Sequence, residues 1–384
     1  MEQRPPKPDL VDLSLKVVHV CDSFEIGGAQ KHVIGLAAAT QQLGVRCYLA
    51  VATDGPFREL AVEARLPHRV FGLSSVRRRY STRYVEAIRT YLDQVGADVV
   101  HGHIFASAVA AAEAAQAVGV PFVVTQHSLA RWRTQRDLVR VAQAYRRAAL
   151  IIAVSVEIAD AVCAIEPTAS QRVIVMPNVP LPTPDPLSDS GFRLPPRPRV
   201  LCAARLVPEK DVRTLLAALA RLASAGRGVS GVVVGDGPQR AELEREAIAL
   251  GIAHMVDFVG PMILTQRHIR AFDVVAVPSV SEGSPLIVLE ARAAGVPIVA
   301  TAVGGIPSLI RDRVEALLVP PQDPDALANA IADVLSFPDQ AARRAARARE
   351  RAAQSDPAAY VAKLVGHYAK LRRHPVTQHP QTAP

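Results

Sequence analysis

Residues 277–305 read VPSVSEGSPLIVLEARAAGVPIVATAVGG, and this stretch decides the fold. The apolar run just before it, 274–277, has the composition of a buried strand and stops at Pro278, where a polar loop takes over. Ser284 and Pro285 fit the N-cap and first residue of a helix, and Gly295 fits the position just past its last turn. Pro297 then opens a second apolar strand over 298–301. Strand, loop, helix, strand is one βαβ unit. Such a unit presents a helix N-terminus at the carboxyl edge of a parallel sheet, where ligands bind.

Two carboxylates bracket this helix start. Glu282 lies in the loop, while Glu290 lies one turn beyond Leu286 with its side chain leaning back toward the N-terminus. Between them the free amides of Ser284 and Leu286, with the helix dipole, form a cradle for a phosphate. Acid, phosphate cradle, acid suits a ligand with phosphate in the middle and hydroxyl-rich groups at either end, as in a nucleoside diphosphate sugar. Spacing alone leaves a second reading open, in which both glutamates are surface residues at a helix start.

The chain has 384 residues, more than one core usually supports, so two domains are expected. Apolar residues make up 49% of it, yet no uninterrupted apolar run approaches the ~20 residues of a spanning helix. The first residues, MEQRPPKPDLVDLS, carry acids and prolines where a signal peptide has its apolar region, which predicts a cytoplasmic protein or one held at a membrane surface. Cys21, Cys47, Cys163 and Cys202 are scattered without paired spacing and read as reduced packing residues. A net charge of +8 favours anionic partners. Aromatics are only 4% and are not interleaved with the basic clusters, so nucleic acid is set aside in favour of nucleotide sugars and anionic lipid.

Upstream, a strand ending near Cys21 leads through a loop to Gly27 and Gly28, where a helix begins and the backbone can approach a ligand closely. Further strands over 98–103, 122–127 and 150–154 complete a first Rossmann-like domain. His103 and His127 each follow a strand's carboxyl end, where site residues gather; a histidine there can also be purely structural. Proline-rich residues 180–198 mark the crossing between domains. The boundaries follow as 1–182 for the first domain, 183–198 for the linker, 199–355 for the second domain, 356–372 for a last helix and 373–384 for a disordered tail. In the second domain Arg205 and Lys210 fall at a strand-to-helix turn, as fixed cations that can neutralise a leaving diphosphate or as ordinary solvated charges. Gly235 and Gly237 form a tight turn after the next strand.

The string EGSPLIVLEARAAGVPIVAT, flanked by VPS and VGGIPSLI, resembles the donor-site signature of the retaining glycosyltransferases of family four, whose two glutamates are separated by seven residues. GGAQKHV at 27–33 resembles that family's glycine-rich loop facing the donor diphosphate, with Gln30 in place of the commoner Glu; RLVPEKD at 205–211 resembles its RLxxEKG element, with Asp211 in place of Gly. Ala302 and Ser308 stand where acidic residues are more usual. The resemblance covers roughly 15–370 and implies the GT-B architecture, two Rossmann-like domains facing across a cleft, with the last helix crossing back onto the first domain. It further implies transfer of a sugar from a nucleotide diphosphate sugar to a glycan, lipid-linked or small-molecule hydroxyl, with retention. In that scheme Arg205, Lys210, Glu282 and His103 are catalytic; Gly27, Gly28, Gly235, Ser284, Pro285, Leu286 and Glu290 bind the donor; His127 is an acceptor-side candidate.

Dinucleotide fingerprints fail at both glycine turns, which disfavours a nicotinamide oxidoreductase. A non-hydrolysing sugar-nucleotide epimerase needs an acid and base pair that the sequence does not offer, and a purely binding relative is disfavoured by the intact charged set. No HExxH and no strand-end Asp-x-Asp is present, since Asp185 and Asp189 lie in the linker; neither a catalytic metal nor a cofactor is expected. Finally, Arg133, Arg136, Arg140 and Arg147 share one face of a helix predicted over 131–149, opposite Leu138, Val141 and Tyr145. With Arg77, Arg78, Arg79 and Arg83, they suggest peripheral contact with an anionic membrane, against the plainer reading of a solvated basic face.

Overall fold

The computed structural model describes residues 14–73, 80–129, 134–182 and 194–372. Among them, β1 (Lys16–Ser23), β2 (Arg46–Thr53), β3 (His68–Val70), β4 (Val99–His103), β5 (Phe122–Gln126), β6 (Leu150–Ala153) and β7 (Val173–Val175) pair in the order β3-β2-β1-β4-β5-β6-β7, all parallel. A second parallel sheet holds β8 (Arg199–Ala203), β9 (Ser230–Val234), β10 (Val256–Gly260), β11 (Val274–Val277), β12 (Ile298–Thr301) and β13 (Leu317–Val319), in the order β10-β9-β8-β11-β12-β13.

Parallel strands need crossover helices, and helices on both faces require the strands to be apolar throughout. Accordingly β6 (LIIA), β11 (VVAV) and β12 (IVAT) are buried at every residue. Alternate side chains of β1 feed two separate cores: Val18 and Val20 join Tyr84 and Ile88 on one face, while Val17 and Cys21 join Val33 and Leu36 on the other.

In each sheet the strand order reverses once, between β1 and β4 in the first and between β8 and β11 in the second. Loops leaving adjacent strands at a reversal diverge to opposite faces and leave a crevice at the carboxyl edge. The segments around Gly27, His103, Arg205 and Glu282 all leave those four strands at that edge.

The last helix, Pro357–Arg372, returns to the first domain. Val361, Leu364, Val365 and Tyr368 enter the core that also contains Val17 and Leu36, and Arg372 lies 3.2 Å from Asp98. A helix of this length is marginal alone, so the burial of four large side chains at ~1.5–3 kcal/mol each holds it in place.

Both strands of the 277–305 unit lie where the sequence predicts, but its helix does not start there. It runs Leu286–Ala294, because Pro285 is extended (φ −68°, ψ 124°) and takes the cap position itself, without a side-chain cap. Gly295 closes it in the left-handed region at φ 71°. Residues Arg77, Arg78, Arg79, Arg133, Asp185 and Asp189, and the proposed tail 373–384, lie outside the described residues.

Candidate active site

The second domain builds its half of the site from three interlocked loops. A Cβ on Gly235, at φ 135°, would stand 1.9 Å from the Ala204 carbonyl oxygen, and one on Gly237 2.3 Å from that of Leu206. Both glycines therefore serve the close approach of the turn after β9 to the loop carrying Arg205 and Lys210. Asp211 adopts φ 43° and ψ 47°, a conformation glycine takes freely, and its carboxylate accepts from the Thr214 amide and hydroxyl. That cap offsets the backbone strain, which is how this loop keeps its path without the expected glycine.

Lys210 and Glu282 are brought together. The ammonium lies 2.7 Å from Glu282 Oε1, and the Ser279 hydroxyl donates to the same oxygen at 2.7 Å. The Glu282 side chain is only 7% exposed, so an ammonium and a hydroxyl take the place of its lost hydration. Behind it, a Cβ on Gly304 or Gly305 would fall 1.8 Å from the carbonyl oxygens of Glu282 and Gly283 respectively, clamping the loop. Arg205 is exposed at the mouth of the same turn.

From across the cleft the first domain meets this loop at several points. A Cβ on Gly283 would lie 2.3 Å from the His127 carbonyl oxygen, so only glycine admits that approach. The Asn178 amide donates to Ser284 Oγ (3.1 Å) and its side-chain amide to the Ser284 carbonyl (2.9 Å). Ser284 is thus an interdomain contact rather than the predicted helix cap. The N-terminus of the helix Gly28–Gln42 faces the N-terminus of Leu286–Ala294, and a Cβ on Gly28 would touch Leu286 at 3.8 Å. Two helix N-termini converging on one space favour an anion there. Lys31, in the first turn, reaches Glu290 Oε1 at 2.5 Å and the Leu264 carbonyl at 3.2 Å.

His103 does not face the cleft. It is fully buried, its Nε2 paired with His19 Nδ1 (3.1 Å) and its Nδ1 with His127 Nε2 (3.3 Å), which corrects the expectation that it lies against the donor sugar. The reason is register: His103 is the last residue of the central strand β4, and it points into the layer between sheet and helices. His101 bridges Thr125 Oγ1 (2.7 Å) and Tyr368 OH (2.6 Å), tying the last helix to the sheet. Burial holds all of these rings neutral: it lowers His19 and His127 to about 3 and His32 to about 4, and His101 and His103 fall well below the ordinary range. His127, half-buried beside Gly283, is the member of the chain that borders the other domain.

One nitrogen from each of His19, His101 and His103 lies within 4.8 Å of the others, a spacing a cation could use. Both His101 nitrogens are already bonded, however, so a metal would have to displace Thr125 or Tyr368. Sequence reasoning missed Lys31, Asn178, Ser279 and His19. Lys31 stands within GGAQKHV, where its helical position offers a signal; the others depend on tertiary contacts that no spacing reveals.

The basic helix spans Gln135–Arg147, capped by Thr134. Arg136 and Arg147 are exposed, but the Arg140 guanidinium stacks 4.6 Å over the Tyr80 ring and Arg147 Nε bonds Gln116 at 2.5 Å. Two of the predicted face's three described cations are therefore engaged within the domain. No helix of the described residues is long and apolar enough to cross a membrane.

Residues 26–179 match the family described as Glycosyltransferase Family 4, and residues 197–336 the one described as Glycosyl transferases group 1. A GDP-mannose-dependent alpha-(1-6)-phosphatidylinositol monomannoside mannosyltransferase of Mycobacterium tuberculosis is 35% identical over 168 residues, 41% of this chain and 44% of that protein; the match thus spans less than half of that relative. The D-inositol 3-phosphate glycosyltransferase of Mycolicibacterium smegmatis is 33% identical over 309 residues, 74% of this chain and 70% of the relative. Among solved structures, Anabaena Alr3699/HepE in complex with UDP and glucose superposes with a TM-score of 0.77 at 23% identity, covering 93% of this chain and 99% of that one. WaaG, a glycosyltransferase involved in lipopolysaccharide biosynthesis, superposes at 0.70 and 18% identity over 92% and 99%. At such identities these two likenesses bear on the fold alone, and the fold they share is GT-B. The matches to both halves, together with the inositol-phosphate relative, establish that this chain belongs to glycosyltransferase family 4.

Proposed function

We propose that the protein is a glycosyltransferase that moves a sugar from a nucleoside diphosphate sugar to an acceptor hydroxyl, with retention of anomeric configuration and without a metal ion. The observation that carries this reading is the convergence of two helix N-termini, at Gly28 and Leu286, on a space flanked by the Lys210–Glu282 pair and by Glu290. Breaking a sugar to phosphate bond places negative charge on the diphosphate and positive charge on the ring. Helix N-termini, Lys210 and Arg205 suit the first, in the role a metal plays elsewhere; Glu282, anchored by Lys210 and Ser279, is set to orient the sugar hydroxyls. Glu290 takes the ribose, and the helix start at Pro285 and Leu286 takes the phosphates. Gly235 acts indirectly, by holding the Arg205 loop. His127, rather than His103, is the first domain's contact to the sugar.

The relatives' names point to inositol phosphates or phosphatidylinositol glycans as their acceptors, and a net charge of +8 suits an acceptor carrying phosphate. A cytoplasmic enzyme meeting such an acceptor at the inner membrane face, through Arg133, Arg136 and their neighbours, is the matching location. Thermal unfolding in the presence of UDP-, GDP- and ADP-sugars tests the donor site, since a ligand at a hundred times its Kd stabilises by about 2.7 kcal/mol. A rise in Tm with one base only is the expected outcome; no rise with any of the three would count against the reading.

A further inference from the structure

Lys31 belongs to the first domain, yet its ammonium is seated against the second domain. The 2.5 Å contact with Glu290 Oε1 and the 3.2 Å contact with the Leu264 carbonyl reach the Leu286–Ala294 helix and the loop after β10 respectively. The side chains of Lys31 and Glu290 are 19% and 22% exposed, so the pair is largely shielded from water. A helical side chain leans toward the N-terminus of its own helix, and Lys31 is positioned only four residues after Gly27, whose carbonyl its amide binds at 2.9 Å; this directs the ammonium out of the helix end and over the cleft.

We propose that Lys31 is a latch on the donor pocket. Its ammonium stands in for the ribose hydroxyls: both are donors, and both address the same carboxylate. With the pocket empty, Lys31 satisfies Glu290 and holds the domains together. A nucleotide must displace it, so its binding is an exchange of one donor to Glu290 for another, and the contact to Lys31 is lost in the bound state. The proposal rests on the reading of Glu290 as the ribose site and adds to it a competitor supplied by the opposite domain.

A double-mutant cycle distinguishes the two ideas. Calorimetric titration with UDP, GDP and ADP is carried out on the full chain as wild type, Lys31→Met, Glu290→Gln and the double variant. For the base that binds, Lys31→Met tightens binding by roughly threefold to tenfold, the range the net contribution of one hydrogen bond supports when one donor is exchanged for another. Glu290→Gln weakens it, and Lys31→Met then adds nothing. Binding that is unchanged or weaker in Lys31→Met, with Glu290→Gln still weakened, overturns the latch and leaves the donor site standing. If Glu290→Gln binds like wild type, the ribose assignment itself fails. A second readout needs no nucleotide: small-angle scattering of ligand-free Lys31→Glu, which sets two carboxylates against each other, should show a larger radius of gyration than wild type. An unchanged radius contradicts the latch.

Discussion

Glu282 Oε1 is held at 2.7 Å by two donors at once, the Lys210 ammonium and the Ser279 hydroxyl. In the proposed mechanism the carboxylate that would address the sugar is therefore fixed by the cation that would address the phosphate, so neither can be altered without the other. Lys210→Ala removes a preorganised charge and also releases Glu282. Steady-state kinetics should show turnover lowered by about a hundredfold or more, from the ~2.7 kcal/mol that one such donor supplies. Arg205→Ala should fall in the same range, while Glu290→Ala raises the donor KM. Wild-type kinetics in all three folded variants would contradict the site.

Because fixed cations and helix amides neutralise the leaving diphosphate in this scheme, activity should be unchanged by EDTA. Loss of activity with chelator, restored by magnesium or manganese, would show that a metal carries that charge instead.

Five histidines pack against one another, four of them buried and His127 half-buried, which makes stability depend on pH. Their folded pKa values lie below the ordinary 6.5, at about 3 for His19 and His127 and about 4 for His32. The unfolded chain then binds more protons than the folded one below pH 6.5, so this contribution is complete above 6.5 and is lost progressively as pH falls toward 4. Both His32 nitrogens are buried without a hydrogen-bond partner in the structure, so His32→Phe should flatten the fall in Tm between pH 6.5 and 5 with little change at pH 7.5. An identical pH slope in the variant would remove His32 from the account.

Membrane contact is tested by co-sedimentation with vesicles. Binding to anionic but not neutral vesicles is expected, weakening with salt and by tenfold or more in Arg133→Glu with Arg136→Glu, from ~1 kcal/mol per cation near the surface. Equal recovery with both vesicle types would leave only a solvated basic face.

The fold was legible where local chemistry decides it. The strands at Val274–Val277 and Ile298–Thr301 are short apolar runs, each with a proline at one end, too short for a core helix. The helix between them was displaced by one residue because proline fixes φ but leaves ψ open, and ψ of 124° at Pro285 ends the extended loop rather than starting the helix. His103 shows the limit at the site. A histidine at the end of a strand can turn toward the cleft or into the sheet layer, and here His19 and His127 on neighbouring segments supply its partners from within. Asn178 was illegible for a related reason, and Lys31 was legible only as a position in the first turn of its helix: their partners, Ser284 and Glu290, are brought to them only when the domains meet.

Sugar transfer at this site is read out by release of free nucleoside diphosphate. Purified protein is incubated with UDP-glucose, GDP-mannose and ADP-glucose, each with and without an inositol phosphate acceptor, and the diphosphate is quantified. Acceptor-dependent release from one donor base, lost in Lys210→Ala, is expected; no release from any donor that binds, or release undiminished in Lys210→Ala, would show that the site does not transfer a sugar.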